Sequence, residues 1–443
     1  YSRKMELINF NKYLFKIINS KFYDSINKRF IDISLLLSIF YLIVRYFDTM
    51  ILYPKSLGDE HEFIVDMHYI LANGYIESVI RGMSIPFTML SLFFYNKGLD
   101  LSQSLRFTNS LFTILPILYL LLRNNILKKQ IKKILFFLFV LIGTSGGQFY
   151  GTNDTIFFSS FIILVYELTL AFDKTKLNFI LIFIFFTIFI LSRPHFILYL
   201  LPLLIGFIIL NYIKNKSFLF YIDKSIFFPI FISILLVLLI NIPRFNNGIF
   251  SLSHSNKIYT SYKGKDVNWT EWHYYSQMKG NKNRLGFFAP MASWDEVRKF
   301  KKNNPSETLP DSYWGYLLHN PFHIIQRVPI SIIEVILMSI RYIGIFIFLI
   351  PIMIIYKIKN NQFDYFLLFL LFSLIGIIIW IIIWPHFIEP RWLYPYYFFL
   401  IYTVVLNKKL QNNYFINSSV FLNIVLMDFI ILWYLWKMNI FSI

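Results

Sequence analysis

Apolar runs separated by short polar connectors recur along almost the whole chain. They lie over roughly 31–53, 104–122, 132–149, 154–172, 177–192, 195–213, 224–242, 330–356, 364–384, 391–406 and 413–436. Most come near the ~17–25 residues that carry a helix across ~30 Å of hydrocarbon. The pattern predicts an all-α polytopic membrane protein with about eleven transmembrane helices, within a range of 10–13. A polar, basic stretch over 1–30 precedes the first run and does not read as a cleaved signal peptide. Residues 31–242 read as a transmembrane core containing a first outer loop over 54–100. A large loop over 243–329 and C-terminal transmembrane helices over 330–443 complete the layout.

Composition agrees. Hydrophobic residues make up 57% of the 443, and aromatic ones 20%, more than a soluble domain carries. The net charge is +18. In a soluble chain that would raise nucleic-acid binding; here the connectors account for it. With eleven spans and an inside N-terminus, "RNNILKKQIKK" from Arg123, "DKTK" from Asp173, "KNKSFLFYIDK" from Lys214, "KIKNNQ" from Lys357 and "NKKLQNN" from Asn407 all fall on one face. That is the positive-inside bias of a cytoplasmic side. One span more or fewer would scramble the later connectors. No nucleic-acid partner is therefore expected, and membrane lipids are. Cysteine is absent, which excludes disulfides, thiolate metal sites and a thiol nucleophile.

The chemically varied residues collect on the opposite face, including all eight histidines. The spans read as nearly free of ionisable groups, which argues against an ion pathway. "KSLGDEHEFIVDMHYILANGY" follows the first span. Phe63, Met67, Ile70 and Leu71 recur at helical spacing, and Gly74 reads as a helix end. This predicts a surface helix entered through Asp59 and Glu60. These two are either caps favoured by the helix dipole or a general base at the membrane boundary, where a lipid-borne donor meets a polar acceptor. His61 and Glu62 share the window. A metal cage of Asp59, His61, Glu62 and Asp66 is a further reading, although Val65 stands where HExxH needs its second histidine. Apart from that cage no cofactor is required, and a divalent cation is left open.

Further along, Asp154 in "GTNDTIFF" is either an N-terminal helix residue or a second acid lining the same cavity. "SRPHFILYL" places Arg193 and His195 at a tight outer turn, where snorkelling is the plain alternative. "WPHFIEPRWLYPYY" supplies His386, Glu389 and Arg391. An arginine opening a span from the outer side runs against the positive-inside bias. A phosphate at headgroup depth would explain it, because guanidinium pairs its hydrogen bonds with phosphate oxygens. A salt bridge to Glu389 would explain it too. The large loop is rich in tryptophan and tyrosine, with Trp269 and Trp272 in "NWTEWHYY". Such rings suit sugars, and equally suit packing at the interface.

Taken in order, these outward-facing segments resemble the GT-C superfamily of polytopic glycosyltransferases. The likeness is greatest to the branch with protein O-mannosyltransferases and the lipid A aminoarabinose transferase. Asp59-Glu60 begins a surface helix ending in "ANGY", and the Pro-containing "SIPFTMLSLFFYNKGLDLSQSLRFTNSLFTILPILYLLL" follows. Then come "YGTND", "SRPH" and "PRWLYPYYFFL". The layout covers about residues 31–406. The resemblance implies a polyprenyl-phosphate-linked sugar donor, a glycan, lipid or protein acceptor at the extracytoplasmic face, and an inverting displacement. It also implies Asp59 or Glu60 as base, and Arg391, Arg193 and Arg81 as donor-phosphate ligands. Asp154, His195, His61, Glu62, His386, Glu389, Trp269 and Trp272 would line the cavity. A bacterial inner membrane with a periplasmic site is the implied setting. The family's basic residue before the Pro-containing segment is not obvious; Arg81 lies five residues ahead of Pro86. A lipid-linked glycan polymerase or ligase, and a flippase or transporter, are the alternatives.

Overall fold

The structure, a computed structural model, describes residues 21–52, 59–123, 130–145, 148–170, 178–193, 195–216, 224–250, 252, 267, 269–281, 292–305, 307–310, 315, 318–319, 321–383, 388–411 and 413–438. Among these there is no strand. In chain order the helices are α1 (Lys21–Phe47), α2 (Asp59–Arg81), α3 (Ile85–Tyr95), α4 (Leu101–Arg123), α5 (Ile131–Ser145), α6 (Asp154–Leu170), α7 (Phe179–Ser192) and α8 (Phe196–Asn215). They continue with α9 (Lys224–Asn246), α10 (Trp269–Asn281), α11 (Trp294–Asn303), α12 (Pro321–Ile343), α13 (Phe346–Lys359), α14 (Tyr365–Ile383), α15 (Tyr394–Leu406), α16 (Lys408–Gln411) and α17 (Tyr414–Lys437).

Six described helices are long and apolar enough to cross a membrane, and a seventh counts if the bent pair α12–α13 is one span. The chain therefore reads as a multi-pass membrane protein. Four runs expected to span form shorter helices: α5, α6, α7 and α15 have 15, 17, 14 and 13 residues. Their burial explains their sequence. Every residue of α15 and nearly every residue of α6 is buried, so both are apolar all round rather than on one stripe. They form the centre: α15 packs on α5, α6 and α14, and α6 on α4 and α7.

The spans also hold more ionisable groups than the sequence reading allowed. Arg106 is buried in α4, where it meets Glu60 of the surface helix α2, and Glu167 is buried near the end of α6. Glu167 accepts from Tyr119 Oη, from Arg123 Nε at 3.2 Å and from Asn178 N at 3.0 Å. This ties the ends of α4 and α6 to the start of α7. Lys132, at the start of α5, pairs with Asp32 of α1, whereas Arg45 Nε donates to Gly143 O at 3.1 Å near the C-terminal ends of the two helices. These contacts fix neighbouring helices to one another near their ends.

The α2 surface helix forms with Phe63, Met67 and Ile70 buried, while Leu71 is exposed. Gly74 ends its first helical piece, as expected. The backbone leaves the helical region there at φ +79°, and a second helical piece runs on to Arg81. A second break separates α12 from α13 at a bend of 95°. Asn423 of α17 satisfies the freed backbone: its Nδ2 donates to Ile343 O and its Oδ1 accepts from Ile345 N, each at 2.9 Å. Gly344, between them, has φ +60°, and a Cβ there would lie 1.7 Å from Asn423 Oδ1. Gly344→Ala is therefore expected to cost ~2–4 kcal/mol through backbone strain and overpacking. Thermal melting in detergent measures it, and an unchanged midpoint would contradict this account of the bend.

Candidate functional site

Two outer links bring arginines onto one carboxylate. Arg193 leaves the end of α7, and Arg391 sits in the short 3-10 turn Pro390–Leu393 that leads into α15. Arg193 Nη2 lies 2.6 Å from Asp154 Oδ1, and Arg391 Nη1 lies 2.8 Å from Asp154 Oδ2. Asp154 opens α6 and its side chain is only 2% exposed, against 22% and 18% for the arginines. Arg391 Nε also pairs with Glu389. Asp154 thus acts as counter-ion and spacer, one oxygen to each guanidinium. Both arginines keep a solvent-facing edge.

Beside them lies a cavity with a free volume of about 40 Å³, walled by Phe157, Phe158, Tyr199, Trp380 and Trp392. Trp380 and Trp392 stack at 5.2 Å, and Tyr199 Oη donates to Trp392 O at 3.0 Å. That space is enough for a few water molecules. Entry of any larger anion therefore requires the arginines to exchange protein carboxylates for ligand oxygens. His195 lines the same cavity. Burial and the neighbouring Arg193 push it down from 6.5 to about 4, against the pull of Asp154. Its proton is then held by the unfolded chain and not by the folded one. Stability should rise as pH climbs from about 4 to about 6.5 and fall in the other direction. His195→Asn should flatten that part of the curve. Melting of both proteins across this window tests it, and parallel curves would count against the assignment.

A second cluster lies at the start of α2. Glu60 is fully buried. Arg106 Nε donates to both its oxygens at 3.1 and 3.0 Å, Gly151 N donates to Oε2 at 3.2 Å, and Ser102 Oγ donates to Oε1. Arg106 Nη1 in turn donates to Thr49 O at 2.6 Å. Buried and fully engaged, Glu60 ties α2 to α4 and offers no open face to an acceptor. Asp59 precedes it as the first residue of α2; its side chain lies outside the described residues.

The segment from Gln148 to Asp154 joins the two clusters. Gly151 meets Glu60, and Asp154 meets the arginines. Side chains of α4 hold its backbone: Asn109 Nδ2 donates to Thr152 O at 2.7 Å, and Thr113 Oγ1 donates to Gln148 O at 3.1 Å. A buried loop needs such partners for its carbonyls.

Of the expected site residues, Asp154, Arg193, Arg391, His195 and Glu389 come together. Arg81 does not join them; its guanidinium lies 4.4 Å over the Tyr69 ring, within α2. His61 and Glu62 are half-buried on the first turn of α2. Trp272 stacks on Trp294 at 4.8 Å and donates through Nε1 to Ala292 O at 2.5 Å. It belongs to a small core under α10 and α11 with Tyr274 and Val297, so its ring is packed rather than presented. Trp269 opens α10 but its side chain lies outside the described residues, as does all of His386. Among the described residues no group of three or more His, Asp or Glu could hold a metal ion.

Sequence reasoning missed Arg106, Asn153 and the aromatic wall. Arg106 carried a usable signal: like Arg391, it enters a span from the outer end. Comparison of the chain with family models, with curated proteins and with solved structures returns no match.

Proposed function

We propose that the chain is a membrane glycosyltransferase of the GT-C type, moving a sugar from a polyprenyl-phosphate-linked donor to an acceptor at the extracytoplasmic face. One observation supports this above all: Arg193 and Arg391 converge on Asp154 beside an aromatic-walled cavity. A guanidinium pair at helix ends suits a lipid-borne phosphate, and rings beside it suit a sugar or an isoprenoid unit. In the proposed reaction the Asp59 carboxylate takes the proton of an acceptor hydroxyl. The acceptor oxygen forms a bond to the sugar's anomeric carbon with inversion. The bond from that carbon to the phosphate oxygen breaks, and polyprenyl phosphate leaves with the electron pair. The arginines neutralise the charge that develops on the leaving phosphate, which is worth most in a site shielded from water. Glu60, paired with Arg106, anchors the start of α2, the helix that Asp59 opens.

The same reading completes the topology. With α5, α6, α7 and α15 crossing as short, protein-wrapped helices, the spans number eleven. The arginine cluster then faces the outside, the periplasm if the host membrane is a bacterial inner membrane.

The test uses purified full-length protein in liposomes carrying polyprenyl-phosphate sugars on one leaflet, with and without EDTA. Release of polyprenyl phosphate is the expected result. Donor that changes leaflet uncleaved would point to a flippase instead. Neither cleavage nor binding of any such donor would overturn the proposal.

A further inference from the structure

We infer that Asn153 is a positioning residue, whose amide holds the Arg193 guanidinium at the phosphate site and ties it to the first outer loop. The inference rests on the phosphate-binding reading above.

Asn153 is 1% exposed, and its amide bridges three elements. Its Oδ1 accepts from Arg193 Nε at 2.9 Å. Its Nδ2 donates to Ser192 O at 2.8 Å, at the end of α7, and to Ser84 Oγ at 3.0 Å, at the cap of α3. The amide's orientation follows from the chemistry of its neighbours. The Nε–H can only donate and the Ser192 carbonyl can only accept, so oxygen must face the arginine and nitrogen the carbonyl.

Arginine has a long, flexible stem, and a guanidinium at a helix end loses rotamer freedom when it is fixed. Here the fork is fixed before a ligand arrives. Nε is held by Asn153 and Nη2 by Asp154, while Nη1 has no protein partner among the described residues. The plane of the group is therefore set, with one amine turned away from both holders. Other side chains at 153 could not do this. Aspartate would keep the acceptor but lose both donors and oppose the Ser192 carbonyl. Leucine fills the space but makes none of the three bonds. The Ser84 bond extends the role: α2, which carries Asp59, leads directly into α3, so one amide couples the base-bearing loop to the phosphate-bearing turn.

The test is a double-mutant cycle read by binding of a short-chain polyprenyl phosphate and by donor KM. Asn153→Ala should weaken binding about tenfold and raise KM more than it lowers kcat. Arg193→Lys should do likewise. The double variant should be no weaker than the worse single one, because Asn153 acts through Arg193. Wild-type affinity in a folded Asn153→Ala protein, or additive losses in the double, would overturn the inference and leave Asn153 a fold tie. If Asn153→Ala does not fold, Ser84→Ala removes one anchor of the amide and should weaken binding two- to threefold; unchanged affinity would again overturn it. No binding by wild type would bring down the functional proposal itself, and this inference with it.

Discussion

Asp59→Asn is expected to lower turnover roughly 100–10,000-fold, the usual worth of a general base, with melting close to wild type. Glu60→Gln is expected to fail in the other direction, losing about 3–5 kcal/mol of stability, the usual cost of breaking a buried ion pair. The two residues are neighbours with the same charge, and the surroundings of Glu60 assign it to the fold. Glu60 is buried with Arg106 on both oxygens. Replacing it by an amide strands the Arg106 charge, itself 1% exposed, where water cannot reach it. A second change should relieve that: Glu60→Gln with Arg106→Met removes both charges, and should be more stable than Glu60→Gln alone. Gly151 makes the same point sterically. A Cβ there would lie 2.8 Å from Glu60 Cγ, so the loop can approach the carboxylate only as glycine. Melting and donor turnover of the two single variants decide the roles. A folded but inactive Glu60→Gln beside an active Asp59→Asn would reverse them.

Much of this frame was legible in the order of polar and apolar residues. The apolar runs became helices, and six or seven of them are long and apolar enough to cross a membrane. Two of the three arginines expected at a phosphate, Arg193 and Arg391, did meet, and Arg81 did not; an arginine at an outer helix end breaks a known bias and so announces itself. The same rule applied to Arg106 would have found the partner of Glu60. What the sequence hid were contacts between distant segments of the chain. Asn153 looks like a helix cap in "GTND", and nothing in periodicity places Ser84, Ser192 and Arg193 around its amide. Gly344 is one glycine in an apolar run; it becomes a break only because Asn423, 79 residues on, caps both sides. Trp272 shows the limit of composition, since a ring packed on Trp294 and one presented to a sugar have the same letter. The short central helices were read as ordinary spans because run length records apolarity and not what surrounds it.

Arg391→Met should lower kcat/KM for the donor by about 100–1,000-fold, as the loss of one preorganised charge donor does elsewhere, and Arg391→Lys should recover little of it. The geometry explains why charge alone is not enough. Arg391 reaches Asp154 through Nη1 and Glu389 through Nε, so its plane is set by two carboxylates on different edges. An ammonium is a point donor on a flexible stem. It could serve one carboxylate or the phosphate, but could not keep the fork that spans them. Loss of Arg391 also leaves Asp154 with one arginine instead of two, and Glu389 without this partner, beside a site that must receive an anion. Both effects weaken donor binding, and the second adds direct repulsion. Asp154→Asn provides the complementary test. It frees both arginines from their shared counter-ion, so polyprenyl phosphate should bind as tightly or tighter while turnover falls, because the arginines are no longer held at a fixed separation. Affinity for polyprenyl phosphate and donor kcat/KM, measured on the three variants, separate charge from placement. Wild-type kcat/KM in Arg391→Lys would show that the site needs only a positive charge there, and would remove the argument for a forked phosphate clamp.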